Sequence, residues 1–173
     1  QLAQRLDEET RRREQEAQQR KALEDALAAP LAEGRVTLVD GPIGIRGNVL
    51  FALYSDQLQP EGRDLLKSLA APLAGYLRTR EETLMVSGST DDRQVSGSNR
   101  QFADNWDLSA QRALTVTRTL IDEGVPSSSV FAAAFGAEQP VSANTSEEGR
   151  AQNRRVEIAP IPRPAKRSGD DGR

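Results

Sequence analysis

The chain contains neither cysteine nor histidine. Without cysteine, disulfides, thiolate nucleophiles and thiolate-bound metals are excluded. That lack also suits a periplasmic protein that avoids adventitious pairing, although it does not by itself fix a compartment. Without histidine, the commonest general base near neutral pH and the commonest zinc ligand are missing. Any catalysis would have to run on carboxylates or lysine, so we read the chain as a non-enzyme with no cofactor and no metal. Aromatic residues make up only 4% and hydrophobic residues 36% of the 173 positions, too few for a chain packed on all sides, so part of it must be solvated. No apolar run is long enough to span a bilayer and no signal peptide is visible. The first residue is Gln1, and we expect a piece of a longer protein whose membrane anchor lies upstream. A net charge of −3 gives no electrostatic reason to expect nucleic acid as a partner.

What is present divides into a charged helix or coiled-coil spacer over residues 1–33, a folded domain over 35–160, and a Pro-rich charged tail over 161–173 that reads as disordered. Leu2, Leu6, Leu23 and Leu27 fall on a and d positions of one heptad frame, but Glu9, Arg13, Glu16 and Arg20 fill the same frame between them, which makes a poor seam. The pairs Glu8–Arg12, Glu9–Arg13 and Glu16–Arg20 have the favourable i,i+4 order. A solvated spacer and a dimerising coiled coil fit about equally, so a homodimer stays open. Pro30 and Gly34 mark the end of this helix.

From Arg35 the pattern changes. Val36 and Leu38, then Ile43 and Ile45, alternate with polar neighbours around Asp40-Gly41, a β-hairpin signal, and Val49-Leu50-Phe51 ends this β region. A helix follows from about Pro60, with Leu65, Leu66, Leu69, Leu73 and Leu77 on one face and a kink or early end expected at Pro72. Thr83 to Ser87 reads as a buried strand and a long polar loop runs from Gly88 to about Asp107. A second helix covers Ser109 to about Glu123, with Ala113, Val116, Thr117, Leu120 and Ile121 inward and Gly124 as its stop. Val130–Phe135 and Arg155–Ile158 complete the order ββ-α-β-α-β-β, an α+β sandwich with two helices on one face of a sheet.

The candidate functional residues lie between Ser87 and Ala113. With Ser109 as N-cap, Arg112 occupies the third helical position at the border of the core, near free backbone N–H groups that favour a carboxylate. Asp91 follows the strand expected to pack beside that helix. The two could clamp a zwitterionic amino acid, the acid accepting from an ammonium and the guanidinium forking a carboxylate. On residues alone an ordinary surface Asp–Arg pair, worth less than about 1 kcal/mol, is the simpler account.

A series of ordered landmarks bears on the choice. Val49-Leu50-Phe51 precedes Leu58-Gln59-Pro60-Glu61-Gly62. Gly88-Ser89-Thr90-Asp91 follows, then Asn105-Trp106-Asp107-Leu108-Ser109 with Gln111-Arg112-Ala113. Gly136, Pro140-Val141, Glu148-Gly149-Arg150 and Asn153-Arg154-Arg155-Val156-Glu157-Ile158 complete the series. From about Val36 to Ile158 the chain resembles the OmpA-like C-terminal domain shared by OmpA, the Pal lipoprotein and the flagellar stator subunit MotB, and its Asn-Trp-acidic-Leu-Ser-Ala run and lengthened loop look most like MotB. The resemblance implies a mixed sheet with two helices packed on one face, preceded here by the long N-terminal helix. It implies a periplasmic, non-catalytic anchor that binds peptidoglycan through the diaminopimelate of its stem peptides. By position, Asp91 and Arg112 are the residues of that family that hold diaminopimelate, while Asn105 and Leu108 shape the pocket. Arg155 falls in the family's Asn-Arg-Arg run, where a structural role in the strand is the stronger reading.

The chain departs from the family pattern at Ser89, where an aromatic or histidine is usual, and in the added loop residues Arg93, Gln94, Ser96 and Ser98. These departures motivate a second reading, a dimerisation or assembly module whose wall pocket is degenerate. Three other features have plain explanations: Trp106 as a loop anchor, Asn144-Thr145-Ser146 as a sequon in form only, and Asp91, Asp92, Asp104 and Asp107 as solvated loop charges without the spacing of a calcium loop.

Overall fold

The structure, a computed structural model, describes residues 1–38, 41–78, 80–95 and 101–163. Asp40 of the expected turn, Ser96 and Ser98 of the long loop, and the tail from 164 onward lie outside the described residues.

The order of elements is α1 (Leu2–Ala32), β1 (Val36–Leu38), β2 (Ile43–Arg46), α2 (Gly47–Leu50), α3 (Pro60–Arg78), β3 (Glu82–Ser89), α4 (Asn105–Asp122), β4 (Val130–Gly136), α5 (Glu147–Asn153) and β5 (Arg155–Pro162). The five strands form one mixed sheet in the order β1-β2-β5-β3-β4, antiparallel except for the parallel pair β3–β4. The parallel pair needs a crossover, and α4 supplies it. Leu84, Val86, Val156, Ile158, Ile43 and Ile45 are buried with the apolar stripes of α3 and α4 in one core, as period-2 strands and period-3.6 helices require. The expected hairpin is present as β1–β2, with Val36 opposite Ile45.

Four details differ from the sequence expectations. The chain around Val49 is not extended: Gly47–Leu50 makes one helical turn. The reason is crowding at the exit from β2. The Gly47 N–H bonds to the Arg154 carbonyl at 2.8 Å, and a Cβ on Gly47 would come to 3.0 Å of that oxygen, so the backbone turns beneath β5. Next, α3 runs through Pro72 to Arg78. Leu69 before the proline and Leu73 and Leu77 after it are all buried, and that continuous stripe offsets a helix-interior proline cost of about 3 kcal/mol. Third, α5 was not expected; Ser146 caps it by accepting from the Gly149 N–H at 3.1 Å. Finally, β5 extends to Pro162, into the segment read as tail, pairing with β3 along its whole length.

Helix α1 is two things at once. Its N-terminal part is solvated, with Leu2 74% and Leu6 56% exposed. At its other end Leu27 and Pro30 are buried, and Leu23 and Ala26 pack on the same core. Two of the four seam leucines are therefore used by the chain's own domain. Among the described residues, no helix is long and apolar enough to cross a membrane.

Candidate functional site

The helix carrying Arg112 begins four residues earlier than expected. Asp104, not Ser109, is its N-cap, accepting from the Asp107 N–H at 2.8 Å, and Asp107 in turn accepts from the Ala103 N–H at 3.0 Å. This reciprocal capping prevails because an aspartate is a strong N-cap and the earlier start adds a full turn. Ser109 instead lies inside the helix. It donates to the Trp106 carbonyl and accepts from the Gly136 N–H, each at 3.0 Å, which ties α4 to the end of β4. Arg112 is thus well past the first turn, and the helix N-terminus does not explain its chemistry.

What the longer helix does is align Asn105, Leu108 and Arg112, at i, i+3 and i+7, on one face. That face lines a cavity of about 170 Å³ together with Leu53, Tyr54, Thr90, Asp91, Arg93, Glu147 and Arg154. Asp91 and Arg112 are only 6% and 7% exposed. Among the described residues three depressions are larger: two of about 620 and 640 Å³, whose charged side chains are exposed or half-exposed, and one of about 290 Å³ beside Arg46 and Arg155, where Arg155 is already paired with Glu157. We take the small cavity as the site, because burying ionised groups is costly unless they serve something.

Asp91 does not pair with Arg112. Its Oδ2 accepts from Arg154 Nη1 at 2.6 Å, and its Oδ1 accepts from the Arg93 N–H at 2.9 Å. Arg154 also donates through Nη2 to Glu147 at 2.6 Å. Burial favours the neutral form of Arg154, but its bonds to Asp91 and Glu147 outweigh that and raise its pKa. Glu147, exposed at the start of α5, is held below the usual glutamate range by the Arg154 hydrogen bond and charge. A further pair, Arg93–Glu147 at 3.6 Å, bridges the loop after β3 to α5.

Arg112 serves the loop between α2 and α3. Its Nε donates to the Ser55 carbonyl at 2.9 Å and its Nη2 to the Ala52 carbonyl at 3.2 Å, and its guanidinium carbon stands 5.0 Å from the centre of the Phe51 ring. Thr115 Oγ1 adds a bond to the Asp56 carbonyl at 2.8 Å. The loop so held carries Leu53 and Tyr54 over the cavity. Tyr54 is the one described non-glycine residue with positive φ, at 53°, a strained conformation that the surrounding bonds must maintain. Burial, with the charge of Arg154 nearby, lowers the Arg112 pKa to about 10, against the pull of Asp56 and Asp91. Arg112 therefore remains charged at neutral pH.

The other expected residues divide. Asn105 lines the cavity, and its Nδ2 donates to the carbonyl of Arg93 at 3.0 Å and that of Asp91 at 3.5 Å, so it shapes the loop after β3. Leu108 is buried in the cavity wall. Arg155 is not brought there: it points to the opposite side of the sheet and bonds Glu157, the Asn153 carbonyl and the Gln139 carbonyl. Its neighbour Arg154 lines the cavity instead. Ser89 is buried on β3 but is not part of the cavity lining. Asn153, 0% exposed, accepts from the N–H groups of Val141 and Ser142 and donates to Ser142 and Asn144, which fixes the loop against which α5 and Arg154 are placed. Among the described residues, no group of three or more metal-ligating side chains comes together.

A mixed sheet with two long helices on one face, and a cavity lined by Asp91, Arg112 and Arg154 where β3, α4 and the start of β5 meet, gives the chain an OmpA-like architecture. The OmpA family model matches residues 50–154, more than half of the chain, and the chain belongs to that family. Among its relatives, it is 33% identical over 120 residues to the probable lipoprotein YiaD of Escherichia coli, covering 69% of this chain and 51% of that protein. It is 29% identical over 150 residues to motility protein B of Bacillus subtilis, covering 86% and 56%. The chain thus spans about half the length of the curated relatives it matches. Among solved structures, the cell wall anchor of the T6SS from Pseudomonas aeruginosa superposes with a TM-score of 0.68 at 33% identity, covering 79% of this chain and 94% of that one. A putative MotB-like protein from Desulfovibrio vulgaris gives 0.72 at 31% identity, covering 88% and 99%.

Proposed function

We propose that this domain is a non-catalytic periplasmic anchor that binds peptidoglycan by the free end of diaminopimelate in its stem peptides. One observation carries the reading: a buried carboxylate, Asp91, and a buried guanidinium, Arg112, face one small cavity without neutralising each other. A side chain ending in both an ammonium and a carboxylate complements that pair. The ammonium would sit against Asp91, within the influence of Glu147. The carboxylate would lie against the Arg112 guanidinium, whose Nε and Nη2 already donate to the loop carbonyls, with Arg154 as the second cation. Such charge-assisted bonds are worth roughly 1.5–3 kcal/mol each, so one domain binds weakly and firm attachment comes from several copies on a repeating wall. The likeness to the T6SS cell wall anchor of Pseudomonas aeruginosa supports this reading. In the complete protein, a membrane anchor upstream and a second copy of the chain would supply the tether and the avidity. The competing assembly reading rested on Ser89 and the longer loop; Ser89 lies off the cavity wall, which removes half of its motivation.

The test is a calorimetric titration with two stem peptides that differ only in carrying diaminopimelate or lysine at the third position. Lysine keeps the ammonium and lacks the carboxylate. Loss of a bond to a buried arginine predicts at least about ten-fold weaker binding of the lysine peptide. Asp91→Asn should weaken both. Equal affinities for the two peptides would defeat the proposal.

A further inference from the structure

Trp106, the single tryptophan of the chain, is 51% exposed although it sits between the cavity-lining Asn105 and the buried Ser109. One face of its ring lies on the backbone of Gly136: a Cβ at that glycine would stand 3.1 Å from Cδ2 and 3.3 Å from Cε3. Gly136 has φ of 55°, and its N–H is held by Ser109, which also bonds the Trp106 carbonyl. The indole is therefore fixed flat on a side-chain-free surface while much of it stays open to solvent. A loop anchor would bury the ring; this arrangement presents it. The platform is also continuous with the cavity. Gly136 accepts the N–H of Thr90 at 2.8 Å, Thr90 lines the cavity, and Asn105 is the next residue on the other side.

We propose that Trp106 is a saccharide subsite that stacks a sugar of the glycan strand whose stem peptide occupies the cavity. This inference rests on the proposed function. The C–H face of a pyranose is apolar and weakly positive, matching the negative face of an indole. Diaminopimelate is the third residue of a stem peptide, and three residues reach at most about 10–11 Å. Trp106 adjoins the cavity through Gly136–Thr90 and through Asn105, so one ligand of that reach would engage both places.

Six ligand–protein combinations test this: a diaminopimelate tetrapeptide and the same tetrapeptide bearing its disaccharide, each titrated into wild type, Trp106→Ala and Trp106→Tyr. Wild type should bind the disaccharide form roughly three- to ten-fold more tightly than the bare peptide, with a change in Trp106 fluorescence specific to the sugar. Trp106→Ala should erase that preference while leaving peptide affinity unchanged, and Trp106→Tyr should restore most of it. Equal affinities in the wild type, a preference that persists in Trp106→Ala, or an equal loss for both ligands would overturn the subsite and leave the cavity reading intact. If the wild type binds neither ligand, the cavity reading falls and takes the subsite with it.

Discussion

Replacing Arg112 with methionine should unfold the site as well as disarm it. Methionine keeps the buried stem but loses the bonds to Ser55 and Ala52. Two hydrogen bonds from a charged donor contribute together roughly 3–6 kcal/mol. Against that, an arginine held at about 10 by burial carries a penalty on the order of 3 kcal/mol at neutral pH, which the substitution removes. The sign follows from linkage: a base with a depressed folded pKa is most costly to keep charged below that pKa, so its removal returns stability at pH 7. The two effects leave a net loss of about 1.5 kcal/mol at the middle of that range. For a chain of 173 residues this corresponds to a melting temperature lowered by roughly 3–6 °C. Asp91→Asn is the control. It retains an acceptor for the Arg93 N–H, and Arg154 keeps Glu147 as a partner, so its melting temperature should fall by less than half as much. Both variants should lose stem-peptide binding. Melting followed by circular dichroism, paired with the peptide titration, reads both quantities. An Arg112→Met protein that melts with the wild type would refute the loop-staple account, and one that still binds the peptide would refute the clamp.

Three further outcomes follow from the geometry. In Gly88→Ala the new Cβ would meet the Ser109 carbonyl oxygen at 2.2 Å, backbone against backbone; it should cost roughly 1–3 kcal/mol and also weaken peptide binding, because α4 carries Asn105, Leu108 and Arg112, and unchanged binding would argue against that coupling. Glu147 should titrate by NMR below the usual glutamate range and move back up in Arg154→Ala; being a depressed acid, it stabilises the pair at neutral pH, and the contribution is lost as pH falls through its folded midpoint. Arg154→Ala should weaken the peptide at least about ten-fold, whereas Arg155→Ala should lower the melting temperature with affinity held within about two-fold, a contrast that the same titration checks.

The core was legible where a period and a face coincide. The stripe Leu65, Leu66, Leu69, Leu73 and Leu77 and the alternation Val156, Ile158 leave a single solution, and all of these residues are buried. Boundaries were less legible because they are set by contacts between elements. The α4 start depends on Asp104 reaching the Asp107 N–H, yet Asp104-Asn-Trp-Asp107 offers as good a cap signal as Ser109. The helical turn at Gly47 depends on Arg154, more than a hundred positions away. Likewise α1 reads as a seam because a and d leucines recur, and only the docked domain reveals that Leu23 and Leu27 pack inside one chain.

The site was legible in its chemistry and half legible in its membership. Opposite charges flanking a long loop made Asp91 and Arg112 candidates and the family resemblance singled them out, but neither says which partners are already satisfied. Asp91 is engaged by Arg154, not by Arg112. The choice between Arg154 and Arg155 was nevertheless in the sequence. Side chains alternate along an extended chain, and Val156 and Ile158 identify the side that faces the helices. Counting back by two places Arg154 on that side, toward α4 and Arg112, and Arg155 on the other, beside Glu157. The second arginine of the run is committed to Glu157 and two carbonyls, and the first bridges Asp91 to Glu147. Alternation alone thus separates an arginine committed to the far side of the sheet from one that holds the buried acid in place, which is the orientation that the proposed ammonium contact requires.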